Sequence, residues 1–106
     1  MKNLLRASIA ALALALVFST YTFADAGGDT FKAKCAACHG ATGAGDTTMG
    51  KNLKLKDLGS ADVQKLSDAE LTTIIAKGQG KMPAYGGKLK DDEIQAVVKF
   101  IRSLKK

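Results

Sequence analysis

Two cysteines and one histidine are all that the 106-residue chain contains, and the three fall within five consecutive positions, Cys35-Ala36-Ala37-Cys38-His39. Whatever those two sulfurs and one imidazole hold, the rest of the chain must fold around it. Three chemistries use a Cys-x-x-Cys pair. A thiol redox pair sits on a thioredoxin-like βαβ framework, and no strand pattern of that kind occurs here. A structural zinc site takes four ligands, usually Cys and His, and the whole chain offers three. The third is covalent haem attachment, in which both thiols add to porphyrin vinyl groups and the next residue, a histidine, ligates iron. Cys35, Cys38 and His39 fill that pattern and exhaust the chain's supply of both residue types. One covalently bound haem c per chain is the expected cofactor, with Cys35 and Cys38 as its attachment points and His39 as an axial ligand.

The other axial position cannot take a second histidine from the same chain. Methionine, another side chain or water remains. Beyond residue 24 there are two methionines, Met49 and Met82. Either can serve merely as core filler, since methionine adapts to irregular gaps. Met49 lies ten residues from His39, in the segment that leaves the histidine side of the ring. Met82 lies forty-three residues on, between a helical segment and Gly86–Gly87, and Pro83, the only proline, stiffens the backbone beside it. Met82 is the expected second iron ligand.

The first residues have a different character. Lys2 and Arg6 precede an unbroken apolar run from Ile9 to Phe18, and polar Ser19 to Thr22 and the small residues Ala24 and Ala26 follow. Charged, apolar and small residues in that order mark a secretory signal. The run has ten residues, whereas a membrane span needs about 20. Residues 1–24 are therefore expected to be a cleaved signal peptide and residues 25–106 a single exported domain, periplasmic and without a membrane span. Cleavage removes two basic residues and no acid, so the net charge falls from +6 to about +4. No aromatic residues interleave the lysines, which argues against nucleic acid. A basic surface that steers an acidic partner fits better. Eighty-two residues bury a limited core, and domains of that size often rely on a cofactor.

The mature chain reads as short helices joined by glycine-rich loops, with no sheet. From Asp91, residues Ile94, Val97, Val98, Ile101 and Leu104 share one helical face, with acids Asp91 to Glu93 in the first turn and Arg102, Lys105 and Lys106 in the last, as the helix dipole favours. Ser67 and Glu70 form a capping box before Leu71, Ile74 and Ile75, and Gly78 closes that helix. A short helix is expected from Ser60 over Ala61 to Leu66, and another from Ala26 or Gly27 into the cysteine motif, capped by Asp25. Gly40 to Leu58 and Gly78 to Leu89 read as loops too long to be mere connections. The expected fold is all-α.

Taken together, these motifs resemble the small, soluble class I cytochromes c over the whole of residues 25–106, and "GKMPAYGGKLKDDEIQAVVKFI" is similar to the bacterial and algal photosynthetic-carrier branch. The resemblance implies three to five short helices wrapped around one haem. It implies that Gly27, Phe31 and Phe100 stand where the first and last helices cross. Where the family has Gly-Pro-x-Leu, with the proline carbonyl accepting the imidazole Nδ1–H, this chain has Gly50, Lys51, Asn52 and Leu53. Lys51 keeps a carbonyl and loses the proline's stiffness. The function implied is a monomeric periplasmic electron carrier and not an enzyme, its iron cycling between Fe(III) and Fe(II). Leu53, Leu58, Ile74, Ile75, Val97 and Ile101 are expected to keep water from the haem. Lys32, Lys34, Lys51, Lys54, Lys77, Lys81 and Lys88 are expected around it, either as a docking face for redox partners with an acidic face or as an ordinary solvated lysine surface. The rival reading is a haem-based ligand sensor or peroxidase-like enzyme with a displaceable Met82. A haem-free thiol oxidoreductase is a third.

The mature protein should begin near Asp25. Intact-mass measurement on periplasmic protein checks this, and a product retaining residues 1–24 contradicts it.

Overall fold

In the computed structural model, which describes residues 20–106, helix α1 (Phe23–Lys34) and helix α6 (Asp91–Ser103) cross in direct contact. Gly27 makes the crossing possible. A Cβ there would lie 1.9 Å from the carbonyl oxygen of Ala96, so only a residue without one lets the two backbones meet. One turn on, Phe31 is 1% exposed and its ring centroid lies 5.0 Å from that of Phe100, within the range that tilted aromatic pairs favour. Helix α6 buries Ile94, Val97, Val98 and Ile101 of the predicted face, while Leu104 is its half-buried C-cap and, of the expected last-turn cations, Arg102 alone lies in the helix. The crossing expected from Gly27, Phe31 and Phe100 is present.

Between these two helices run α2 (Ala36–His39), α3 (Thr48–Asn52), α4 (Ala61–Gln64) and α5 (Asp68–Lys77). Helix α5 has the predicted boundaries. The Ser67 hydroxyl accepts from the Glu70 amide at 3.0 Å, and Gly78, at φ +75°, ends the helix in a conformation that favours glycine. Leu71 and Ile75 are buried against α6 and Phe31 in one apolar core. Arg102 fastens α6 to the α4–α5 corner. It donates to Asp68 Oδ1 at 2.9 Å, to the Gln64 carbonyl at 2.9 Å, and to the Leu66 carbonyl. Helix α4 ends at Gln64 rather than Leu66, and the Arg102 guanidinium satisfies two carbonyls at its exit, those of Gln64 and Leu66.

Among the described residues there are six helices, where three to five were expected, and no strand, so the all-α class holds. The surplus comes from α2 and α3, each under two turns. The loop Gly40 to Leu58 contains α3, which was read as irregular. Helix α1 starts earlier than expected, with Thr22 rather than Asp25 as N-cap. Asp25 sits at the third helical position and completes a capping box, accepting from the Thr22 amide at 2.9 Å. Thr22 lies upstream of the expected cleavage point, and residues 1–19 of the expected signal peptide lie outside the described residues. Among the described residues no helix is long and apolar enough to cross a membrane.

Gly27→Ala should lower stability by about 1–3 kcal/mol, the usual cost of overpacking, despite alanine's better helix propensity. Gly28→Ala should cost less, since its Cβ would meet only the Phe100 ring at 3.3 Å. Denaturant titration of the haem-loaded protein compares the two, and a Gly27→Ala variant as stable as wild type contradicts the backbone contact.

Candidate functional site

Cys35 stands at the junction of α1 and α2. Its amide donates to the Phe31 carbonyl at 2.8 Å, ending α1, and its carbonyl accepts from the His39 amide at 3.0 Å, opening α2. Positions 35, 38 and 39 are spaced i, i+3, i+4, which places them on one side of a helical turn. All three side chains are half-buried and line one cavity.

That cavity has two adjoining parts, which share Cys35, His39, Gln79 and Met82. One part, about 530 Å³, also touches Cys38, Leu53, Pro83 and Tyr85. The other, about 430 Å³, runs inward against Leu58, Ile74, Ile75, Val97 and Ile101. All six apolar residues expected to exclude water are in these walls. Each part is of ligand-binding size, and an apolar lining with a few convergent polar groups is the usual composition of a cofactor site.

The structure separates the two methionines. Met49, on α3, is 49% exposed and lines neither part of the cavity. Met82 is half-buried and lines both, facing the same space as His39. Its backbone is held in a tight turn, with Met82 donating to the Gln79 carbonyl at 2.9 Å and Gln79 donating back at 3.2 Å. Gly78 is needed at the base of this turn as well, because a Cβ there would lie 2.5 Å from the Met82 carbonyl oxygen.

Burial lowers the pKa of His39 from its ordinary value, which keeps the imidazole neutral. Burial, with Cys38 a lesser cause, pushes the Cys35 thiol up to about 11. Reactive thiols have depressed pKa values, so Cys35 is poorly suited to thiol–disulfide exchange. Burial also raises the Tyr85 phenol, which stays protonated and able to donate.

The Nδ1 atom of His39 is buried without a hydrogen-bond partner among the described residues, and the carbonyl that Lys51 keeps in place of the family's proline accepts from the Lys54 amide at 3.2 Å. Lys51 is in α3, where carbonyls point along the helix axis toward the following residues. Lys54, at φ +57°, folds back to meet it. Other bonds hold the segment to the motif. The Thr47 hydroxyl donates to the Cys38 carbonyl at 2.6 Å and accepts from the Gly50 amide at 2.9 Å, and the Gly45 amide donates to the His39 carbonyl at 2.7 Å. Thr47 thus caps α3 and anchors it to α2. Neither Thr47 nor Tyr85 was singled out from sequence. Thr47 had a local signal, a hydroxyl residue three positions before Gly50. Tyr85 had none, since its partner lies 51 positions away.

The donor set fits a covalently held haem. Two thiols and a neutral imidazole leave one helical turn, a thioether lines the same space, and apolar side chains line much of the remainder. Comparisons with known proteins agree. A family profile described as cytochrome c oxidase, cbb3-type, subunit III matches residues 22–101. The chain is 38% identical over 109 aligned residues to cytochrome c6 of Picosynechococcus sp., covering 95% of this chain and 92% of that protein. It is 41% identical over 78 residues to cytochrome c6 of Leptolyngbya boryana, covering 74% and 88%. A solved structure, the KustC0563 c-type cytochrome, superposes with a TM-score of 0.70 at 30% identity, covering 76% of this chain and 98% of that one.

Proposed function

Because the chain belongs to the small class I cytochromes c, which carry one covalently bound haem c per chain, we propose that it is a periplasmic one-electron carrier with His39 and Met82 as axial ligands. The observation that carries this reading is that His39 and Met82 alone, among residues able to ligate iron through imidazole or thioether, line both parts of the cavity beside Cys35 and Cys38. When bound, the haem supplies a one-electron couple between Fe(III) and Fe(II).

The residues of the chain set how that couple behaves. Cys35 and Cys38 hold the group through thioether bonds from the turn that also presents His39. A methionine ligand raises the potential of a haem iron, so Met82 favours the reduced form. Leu58, Ile74, Ile75, Val97 and Ile101 exclude water from the inner part, and a low dielectric disfavours added charge. Among the described residues the polar lining of the outer part beyond the motif and Tyr85 is Lys34, Lys81, Asn52 and Gln79, and the one carboxylate of the inner part, Asp62, lies 3.8 Å from Lys56 and 3.7 Å from Lys65. A peroxidase-like enzyme wants a general acid–base group there, and this lining favours electron transfer over the enzyme reading.

Signal cleavage near Asp25 and export belong to the same proposal. So does docking. Lys32, Lys34, Lys51, Lys54, Lys77, Lys81 and Lys88 are all exposed, and none is in an ion pair among the described residues. Seven uncompensated ammonium groups on segments around the cavity favour a partner with an acidic face. Transfer to such a partner should slow as salt rises, since surface charges are screened over about 8–10 Å at moderate ionic strength. Stopped-flow rates with the physiological partner that ignore ionic strength contradict the docking face.

Met82→Ala should keep the haem covalently bound but lower the potential, abolish the Met–iron charge-transfer band of the oxidised protein and admit cyanide or carbon monoxide more readily. Met49→Ala should do none of this. Spectra and redox titrations of the two variants decide the matter, and reversed behaviour contradicts the ligand assignment.

A further inference from the structure

The segment that carries Met82 is tied mostly to itself and to α5. Gln79 and Met82 exchange backbone hydrogen bonds, the Tyr85 amide donates to the Ile75 carbonyl at 3.0 Å, and the Gly86 amide donates to the Ala76 carbonyl at 2.9 Å. None of these bonds reaches the opposite wall of the cavity. Among the described residues a single hydrogen bond crosses from this segment to the wall that carries Cys35 and His39. It runs from the Tyr85 hydroxyl to the carbonyl of Lys34, at 3.0 Å.

Both ends of that bond are well placed. Lys34 is the last residue of α1, and the final carbonyls of a helix have no donor within it. Lys34 also directly precedes Cys35. Tyr85 follows Met82 by three residues, with Pro83 limiting the backbone between them. Its ring is half-buried against the apolar core, and both Lys34 and Tyr85 line the outer part of the cavity. The phenol therefore spans from one wall to the other beside the Met82 thioether.

We propose that Tyr85 is a positioning residue whose hydroxyl latches the Met82 segment to the end of α1 and so limits how often the thioether leaves the iron. This rests on the reading of Met82 as an axial ligand. The latch acts on ligand exchange rather than on whether the fold forms, because the ring's packing does not need the hydroxyl. Removing one neutral hydrogen bond of ordinary net strength changes such an opening equilibrium about two- to tenfold.

The test is Tyr85→Phe in the haem-loaded protein, which deletes the hydroxyl and keeps the ring. Cyanide binding to the oxidised form, which must wait for Met82 to leave, should be about two- to tenfold faster than in wild type. The Met–iron charge-transfer band should be lost at a lower temperature, while the denaturant midpoint of the whole fold changes less than the opening equilibrium does. If wild type shows the band and Tyr85→Phe binds cyanide at the wild-type rate, the latch is overturned and Met82 stands as ligand. A faster rate matched by an equal loss of global stability also overturns it, since the hydroxyl would then support the fold as a whole. A wild-type protein without the band overturns both the ligand assignment and the latch.

Discussion

The contact of α1 with α6 through Gly27 is the constraint from which the rest of the site follows. With no Cβ between Gly27 and the Ala96 carbonyl, the two backbones touch, and Phe31 is driven into the core against Phe100. Phe31 is one turn before Cys35, so burying it fixes the end of α1 and aims the following turn. The ring centroids of Phe31 and His39 are 6.2 Å apart, which puts the imidazole on the edge of the same cluster. A backbone approach remote from the chemistry thereby decides where the sulfurs and imidazole point.

From that frame two segments reach the cavity by different means. Residues 40–58 are fastened to the motif itself, through Thr47, Gly45 and α3, and form the wall on the histidine side. Residues 78–89 are held by α5 and by the Tyr85 hydroxyl, and bring Met82 to the shared space. The wall tied to the motif has the more hydrogen bonds to it and the Met82 segment the fewer. The cavity lies within the apolar core rather than beside it, because Phe31, Val63, Leu71, Ile75, Val97 and Ile101 are at once core residues and its lining. In a domain this small a group filling that space completes the core as well as supplying chemistry.

Much of this was legible in the sequence where the signal is local. Helices α5 and α6 announced themselves by capping residues and apolar spacing, and the motif residues by the scarcity of cysteine and histidine. Chain length and the proline beside Met82 point to it rather than Met49, and of the two only Met82 lines the cavity. What was missed depends on distant partners. Helix α3 has five residues and no apolar face of its own, and it is held by the Thr47 hydroxyl bridging to Cys38. Lys51 stands where the family's proline carbonyl meets the imidazole, and α3 turns its carbonyl toward Lys54. Helix α1 is expected from Ala26 or Gly27 with Asp25 as its cap, and it starts instead at Phe23 with Thr22 as the cap.

Under the proposed function, four side chains from two parts of the chain, Cys35, Cys38 and His39 on one turn and Met82 on another, hold one haem with a histidine and a methionine on its iron. The most direct measurement is the absorption spectrum of oxidised and reduced protein, taken with extraction into acidified acetone. The account predicts haem that resists extraction, a low-spin spectrum in both states, and a Met–iron charge-transfer band in the oxidised form. Extractable haem, or a high-spin oxidised spectrum without that band, would contradict it.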